Sequence, residues 1–217
     1  MAIVRRKPRN PSLRAQTFMS FKDLTKKEPE KSLTAPLPKK GGRNSYGRIT
    51  VRHRGGGAKK LYRLVDFKRS YKDVPGVIKA FEYDPNRNVP IALVFYRNGA
   101  KSYLLKPDGL EIGSEIISST KAEAKVGNSL PLRNIPIGFF VHNVEFSPGQ
   151  GGKFARSAGT AVQLTAREGE RAILKMPSGE IRTVGLDSWA TIGTLSNADY
   201  RNLSLGKAGR TRHRGWR

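Results

Sequence analysis

Residues 39–63, KKGGRNSYGRITVRHRGGGAKKLYR, limit what this chain can fold into. Nine of these 25 residues are Lys or Arg, six are Gly and none is acidic. Such a segment has too few apolar side chains to offset the entropy of ordering it, so a core cannot hold it. Its order must come from an anion. Guanidinium and ammonium groups supply the charge. Glycines at Gly41-Gly42, Gly47 and Gly55-Gly56-Gly57 let backbone N–H groups approach that anion closely. A phosphate-rich polymer suits both.

The charge of the whole chain is segregated. Net charge is +24, from 41 Lys+Arg against 17 Asp+Glu. Residues 1–60 hold 17 basic and 3 acidic side chains, and residues 201–217 hold 6 and none. The segments 61–130 and 131–200 reach only +3 and +1. A nearly neutral body with two polybasic arms is the footprint of a nucleic-acid binder, and self-repulsion at this charge favours a polyanionic partner. The arms themselves are expected to lack structure in the free protein, for want of apolar residues. The absence of cysteine excludes a disulfide scaffold and Cys-ligated zinc. No run approaches the ~20 apolar residues of a membrane span. The Arg-rich start has the composition of a transit peptide, but Pro8 and Pro11 would break the helix such peptides form.

Between the arms, short apolar runs alternate with turns. Strands are predicted over 61–67, 76–83, 91–96, 101–105 and 115–117, with Asn98-Gly99 as a hairpin turn. Five short strands in about 60 residues suggest a small closed barrel of OB type. Pro131 and Pro136 mark a linker. A second set of strands is predicted over 139–146, 161–167, 171–176, 181–184 and 190–192, giving an SH3-like barrel. One short helix is expected over 197–205. The fold class is therefore mainly β, an OB-fold barrel followed by an SH3-like barrel. The units are 1–60 (basic extension), 61–130, 131–200 and 201–217 (basic tail).

Enzyme signatures are poor. His53, His142 and His213 lie in three regions without metal-ligand spacing. His142 alternates with Val141 and Val144 and reads as a packing or hydrogen-bonding residue. Gly149-Gln150-Gly151-Gly152 lacks the last glycine of a dinucleotide motif, and Gly206-Lys207-Ala208 lacks the Ser or Thr of a P-loop. Asp84, before Pro85, reads as a turn residue. The nucleic-acid reading fares better. Arg43, Arg48, Arg52, Arg54 and Arg63 can fork onto phosphate, and Tyr46 can stack on a base. Residues 148–156, PGQGGKFAR, repeat the glycine–basic theme with Lys153 and Arg156. The tail GKAGRTRHRGWR does so again, with Trp216 as a stacker. No helix-turn-helix or zinc finger is visible, which favours shape-reading of RNA over major-groove readout.

Several stretches follow one another as in a known family. These are GGRNSYGRITVRHRGGGAKKLYR, VDFKRS, EYDPNRN before IALV, LPLRNIPIGFFVHNVEFSPGQGGKFARSAGT and SLGKAGRTRHRGWR. The chain resembles the bacterial form of the universal large-subunit ribosomal protein L-two family over essentially its whole length. The resemblance implies OB and SH3-like barrels with basic extensions threaded into large-subunit (23S-type) rRNA. It implies roles in 50S assembly, subunit association and support of the peptidyl transferase region. Its partners would be that rRNA, other ribosomal proteins and the small subunit at the intersubunit bridge, with no membrane and no small-molecule substrate. It implies a cytoplasmic, bacterial-type ribosome, no enzyme activity, and no cofactor beyond the structural magnesium ions of rRNA.

By motif match the rRNA contacts would be Arg43, Arg48, Arg52, His53, Arg54, Lys59, Lys60, Arg63, Lys68, Arg69, Lys153, Arg156, Lys207, Arg210, Arg212, His213 and Arg214. Ala58 stands where family members usually carry His. Family members also continue beyond the position of Trp216-Arg217 into a Gly- and His-containing loop. That histidine has no counterpart in this sequence, so the resemblance carries no catalytic role to any residue here. A DNA-compacting protein and an RNA-directed enzyme are the competing readings. Relative affinity for duplex DNA and rRNA separates the first, and turnover without ribosomes would favour the second.

Overall fold

The structure, a computed structural model, describes residues 2–26 and 28–217. Its N-terminal arm is paired. Strand β1 (Ile3–Arg5) runs antiparallel to β2 (Thr17–Met19), with helix α1 (Pro11–Arg14) between them. Asn10 caps that helix by accepting from the Leu13 N–H at 3.1 Å, and Pro11 starts it with its φ already helical. Strand β3 (Thr34–Pro36) pairs antiparallel with β4 (Leu61–Arg63). Residues 37–60, the glycine–arginine segment, are therefore the loop of a hairpin whose two ends are pinned.

The first barrel is built on a four-stranded antiparallel sheet. Its strands are β5 (Gly76–Glu82), β6 (Ile91–Tyr96), β7 (Lys101–Leu105) and β8 (Glu115–Ile116), in the order β7-β6-β5-β8. The sheet curls: β5 carries a bulge between Ile78 and Ala80, and Val65 makes a parallel bridge to Tyr103. The apolar run of β6 has a physical cause. Ala92, Val94 and Tyr96 face one core with Ile78, Phe81 and Leu104, while Ile91 and Leu93 face a second with Ala80 and Tyr103. A strand covered on both faces loses polar alternation.

The second barrel has a six-stranded sheet. Its members are β9 (Ser129–Pro131), β10 (Phe140–His142), β13 (Val162–Glu168), β14 (Arg171–Lys175), β15 (Ile181–Gly185) and β16 (Trp189–Ile192). They lie in the order β15-β14-β13-β10-β16-β9. A two-stranded ribbon of β11 (Val144–Glu145) and β12 (Gly152–Phe154) flanks it. Leu130, Leu132, Ile135, Val141, Leu164 and Leu174 are among its fully buried core. The two barrels are the OB-type and SH3-like units that the strand pattern predicted.

Several predictions need correction in detail. The single strand over 139–146 is two, because Asn143 takes φ 51° and turns the chain between β10 and β11. Strand pairing over 61–67 stops at Arg63 apart from the Val65 bridge. The expected linker is not loose: Ser129–Pro131 pairs with β16, and a 3-10 turn, Leu132–Asn134, follows it. The expected helix over 197–205 is a 3-10 turn, Ala198–Asn202, and helix α2 (Ala208–His213) follows in the tail. The arms were expected to be unstructured. Instead they are hydrogen-bonded to each other and to the barrels.

Candidate nucleic-acid interface

The arm loop is organised by small polar residues. Asn44 Oδ1 accepts from the N–H groups of Tyr46 and Arg48, both at 3.0 Å. The Gly42 carbonyl accepts from Thr50 and Val51 at 2.9 and 3.1 Å. This closes a hairpin over 42–51 with Tyr46, 88% exposed, at its tip. A Cβ at Gly42 would overlap the Val51 carbonyl, so glycine is required there for chain packing. Gly47 and Gly56 have left-handed backbones, φ 78° and 64°, with open space where a Cβ would stand. Arg43, Arg48 and Arg52 are exposed and their side chains make no hydrogen bond or ion pair among the described residues.

The tail closes onto this loop. Gly55 N–H donates to the Gly215 carbonyl at 3.0 Å, and Ala58 N–H to the His213 carbonyl at 3.0 Å. Arg217 N–H donates to His53 at 3.0 Å. The Arg54 guanidinium lies 3.7 Å from the centre of the Trp216 ring. A Cβ at Gly57 would stand 2.8 Å from Gly215 N. Two acid-free segments about 160 residues apart in sequence thus form one surface, carrying Arg43, Arg48, Arg52, His53, Lys59, Lys207, Arg212, His213 and Arg214 at exposed positions. Lys60 is half-buried beside them. Arg210 is committed to the fold: its Nη1 donates to Thr17 O at 2.8 Å, and it and Arg6 each place a cation 4.5 Å from the centre of the Phe18 ring.

The glycine–basic loop over 148–156 works differently. Buried Glu145 accepts from the N–H groups of Gly149, Gly151 and Trp189 at 3.1, 2.9 and 3.2 Å. Gly152 N–H donates to Phe67 O at 2.9 Å, and Asn143 Nδ2 to the same oxygen at 3.1 Å. A Cβ at Gly151 would meet Lys68 at 2.9 Å, and one at Gly152 would overlap Asn143. These glycines let the two barrels approach. The loop's cations are partly engaged: Lys153 donates to Gln150 Oε1 at 2.7 Å, and Arg156 covers the Phe67 ring at 4.4 Å. Both remain exposed, as does Lys68.

Two expected contacts are corrected. Arg69 is only 5% exposed, with its Nη2 donating to Gly127 O at 2.7 Å across the barrel junction. Burial lowers its pKa, while Tyr96 and Asp66 act in the opposite direction. It cannot reach a phosphate. Arg63 is 9% exposed, with Nη1 on Leu61 O at 2.9 Å, close to Glu82 and Tyr103. It is an internal cation. His142 is the hydrogen-bonding residue the sequence suggested. Its Nδ1 lies 2.7 Å from Gly193 O, so the proton sits there, and burial pushes its pKa down to about 3. The Gly193 bond opposes that shift and Arg69 adds to it. Asp84 is a turn residue, accepting from Asn86 N at 2.8 Å and pairing with Arg87.

Sequence reading passed over Glu145, whose role as a loop anchor had no sequence signal beyond an acid in an apolar run. It also passed over Phe21 and Tyr83. They stack edge-to-face at 5.2 Å beside the arms, and Tyr83 ended a predicted strand.

The family models for ribosomal proteins L2 match this chain twice. The RNA-binding N-terminal domain matches residues 30–118 and the C-terminal domain matches residues 125–217. The first match contains the arm loop and the first barrel, and the second contains the second barrel and the tail. With most of its length matched, the chain belongs to the ribosomal protein L2 family, proteins of the large ribosomal subunit with an RNA-binding N-terminal domain.

Proposed function

We propose that this chain is a non-enzymatic structural constituent of a bacterial-type large subunit, binding 23S-type rRNA through the surface its two arms form together. The observation that carries this reading is the union of loop 37–60 with tail 201–217, two acid-free segments, into one basic surface. The contacts are Arg43, Arg48, Arg52, His53, Lys59, Lys60, Lys207, Arg212, His213 and Arg214, with Lys68 and Lys153 further along the barrels. Arg54, Arg156 and Arg210 hold the scaffold for them through ring contacts. Basic side chains of this kind neutralise phosphates where RNA helices pack, which supports 50S assembly and the peptidyl transferase region. Subunit association, with contact to the small subunit at the intersubunit bridge, belongs to the same reading. The barrels over 61–130 and 131–200 serve as rigid mounts for the extensions 1–60 and 201–217.

Competition tests this. Equal masses of large-subunit rRNA and duplex DNA are offered to the purified chain at fixed salt. Preference for rRNA is expected. Equal retention of both would favour nonspecific compaction of DNA.

A further inference from the structure

The arms do more than expose cations. Together with the loop between β5 and β6 they enclose a cleft of about 810 Å³. Ligand sites commonly span roughly 300–1,000 Å³. No Asp or Glu among the described residues lines it. Lys59 and Lys60 line it and make no hydrogen bond or ion pair among the described residues, and Arg214 lies near the Tyr200 ring at 5.9 Å. Phe21, Tyr83 and Trp216 also line it and are 51%, 50% and 46% exposed. A phosphate site needs no aromatic walls, and an apolar site needs no free cations. A nucleotide needs both, a ring to stack on and a charge for its phosphate.

Asn197 adds a separate observation. It lines the same cleft, is 6% exposed and has a left-handed backbone, φ 66°. Its Nδ2 donates to Asn88 O at 2.6 Å, while its buried Oδ1 has no partner among the described residues. Buried acceptors are nearly always satisfied.

We propose that the cleft receives one unstacked nucleotide of the bound RNA, its base against Tyr83 and Trp216 and its phosphate at Lys59, Lys60 and Arg214. This rests on the rRNA-binding reading above and adds a position where one base leaves its stack.

The test combines ultraviolet crosslinking with affinity. The full chain is crosslinked to large-subunit rRNA and the adducts are mapped by mass spectrometry. Adducts at Tyr83 or Trp216 to a single nucleotide are expected. Tyr83→Ala should lower rRNA affinity roughly five- to 100-fold. It should leave the slope of affinity against salt unchanged, since no charge is removed. Phe21→Ala, a neighbouring half-exposed ring, should act in the same direction, and a cooperative urea transition with wild-type circular dichroism shows that each variant is folded even where losing the Phe21–Tyr83 contact lowers its midpoint. Wild-type binding with no cleft adduct and unchanged affinity in both variants overturns the nucleotide site and leaves rRNA binding standing. Failure of the wild-type chain to bind rRNA removes both. Adenosine, guanosine, cytidine and uridine 5′-monophosphates serve as separate probes. Micromolar binding of a free monophosphate would overturn RNA as the source of the nucleotide.

Discussion

The loops over 41–57 and 148–156 both interleave glycine with Lys and Arg, yet their backbone groups face different partners. In the second loop, Glu145 collects the N–H groups of Gly149 and Gly151, and Gly152 packs on Asn143 and Phe67. In the first, no carboxylate is within the segment. Gly42 and Gly57 serve close chain packing, while Gly47 and Gly56 open onto space, Gly47 next to Arg48, whose side chain has no partner among the described residues. One buried acid nearby therefore decides whether a glycine–basic loop joins two domains or is left for an outside anion. Composition alone does not distinguish the cases.

The joint should respond to pH through His142. His142 is held neutral at the junction, with a pKa of about 3 against an ordinary 6.5. A depressed pKa in the folded state means the unfolded chain binds more protons. Its stability contribution is complete above about pH 6.5 and is lost as pH falls towards 3. Linkage puts the full loss at about 5 kcal/mol, of which roughly 3 kcal/mol should be lost by pH 4. Urea unfolding from pH 7 to pH 4 checks this, and the slope should shrink in His142→Gln. An unchanged profile in that variant would place the acid sensitivity elsewhere.

Removing Glu145 sharpens the contrast. Glu145→Ala leaves three N–H donors without their acceptor and should cost about 3 kcal/mol of stability, read as a lower urea midpoint. Gly152→Ala should also destabilise markedly, since the new Cβ overlaps Asn143. Gly47→Ala, with free space but a left-handed backbone, should cost only about 1 kcal/mol. Equal losses at the two glycines would erase the distinction between the loops.

The clasp between arms is a smaller effect. Trp216→Ala removes the ring under Arg54 and should cost about 1 kcal/mol. Hydrogen exchange is the better readout: the amides of Gly55 and Ala58, bonded to Gly215 and His213, should be protected in the wild-type chain and exchange faster in the variant. Absence of protection in the wild-type chain would restore the expectation that free arms are unstructured.

Much of the barrel architecture was legible because local signals agreed. The strands Ile91–Tyr96 and Lys101–Leu105 fall where the pattern put them, since Asn98-Gly99 supplies the turn and Gly99 takes φ 81°. Ser129–Pro131 was missed because three residues ending in proline carry no period, and only pairing with distant β16 makes them a strand. Arg69 was misread for a related reason. Its neighbours are polar and its acceptor, Gly127 O, lies 58 residues away. The arm clasp was invisible too, because backbone bonds between glycine-rich segments leave no hydrophobic trace. The arginines of 43–52 stand exposed as their polar surroundings suggest, and nothing among the described residues competes for them.

On the proposed reading the arm surface, and not the barrel joint, carries RNA affinity through charge. The direct measurement is the dependence of large-subunit rRNA affinity on salt, for the wild-type chain and for the combined variant Arg43→Ala, Arg48→Ala, Arg52→Ala. Each lost phosphate contact lowers the slope of log affinity against log salt by about 0.7–0.9. The variant should fold with an unchanged midpoint and show a slope shallower by about two to three. A wild-type slope near zero, or the same slope in both chains, would contradict the claim.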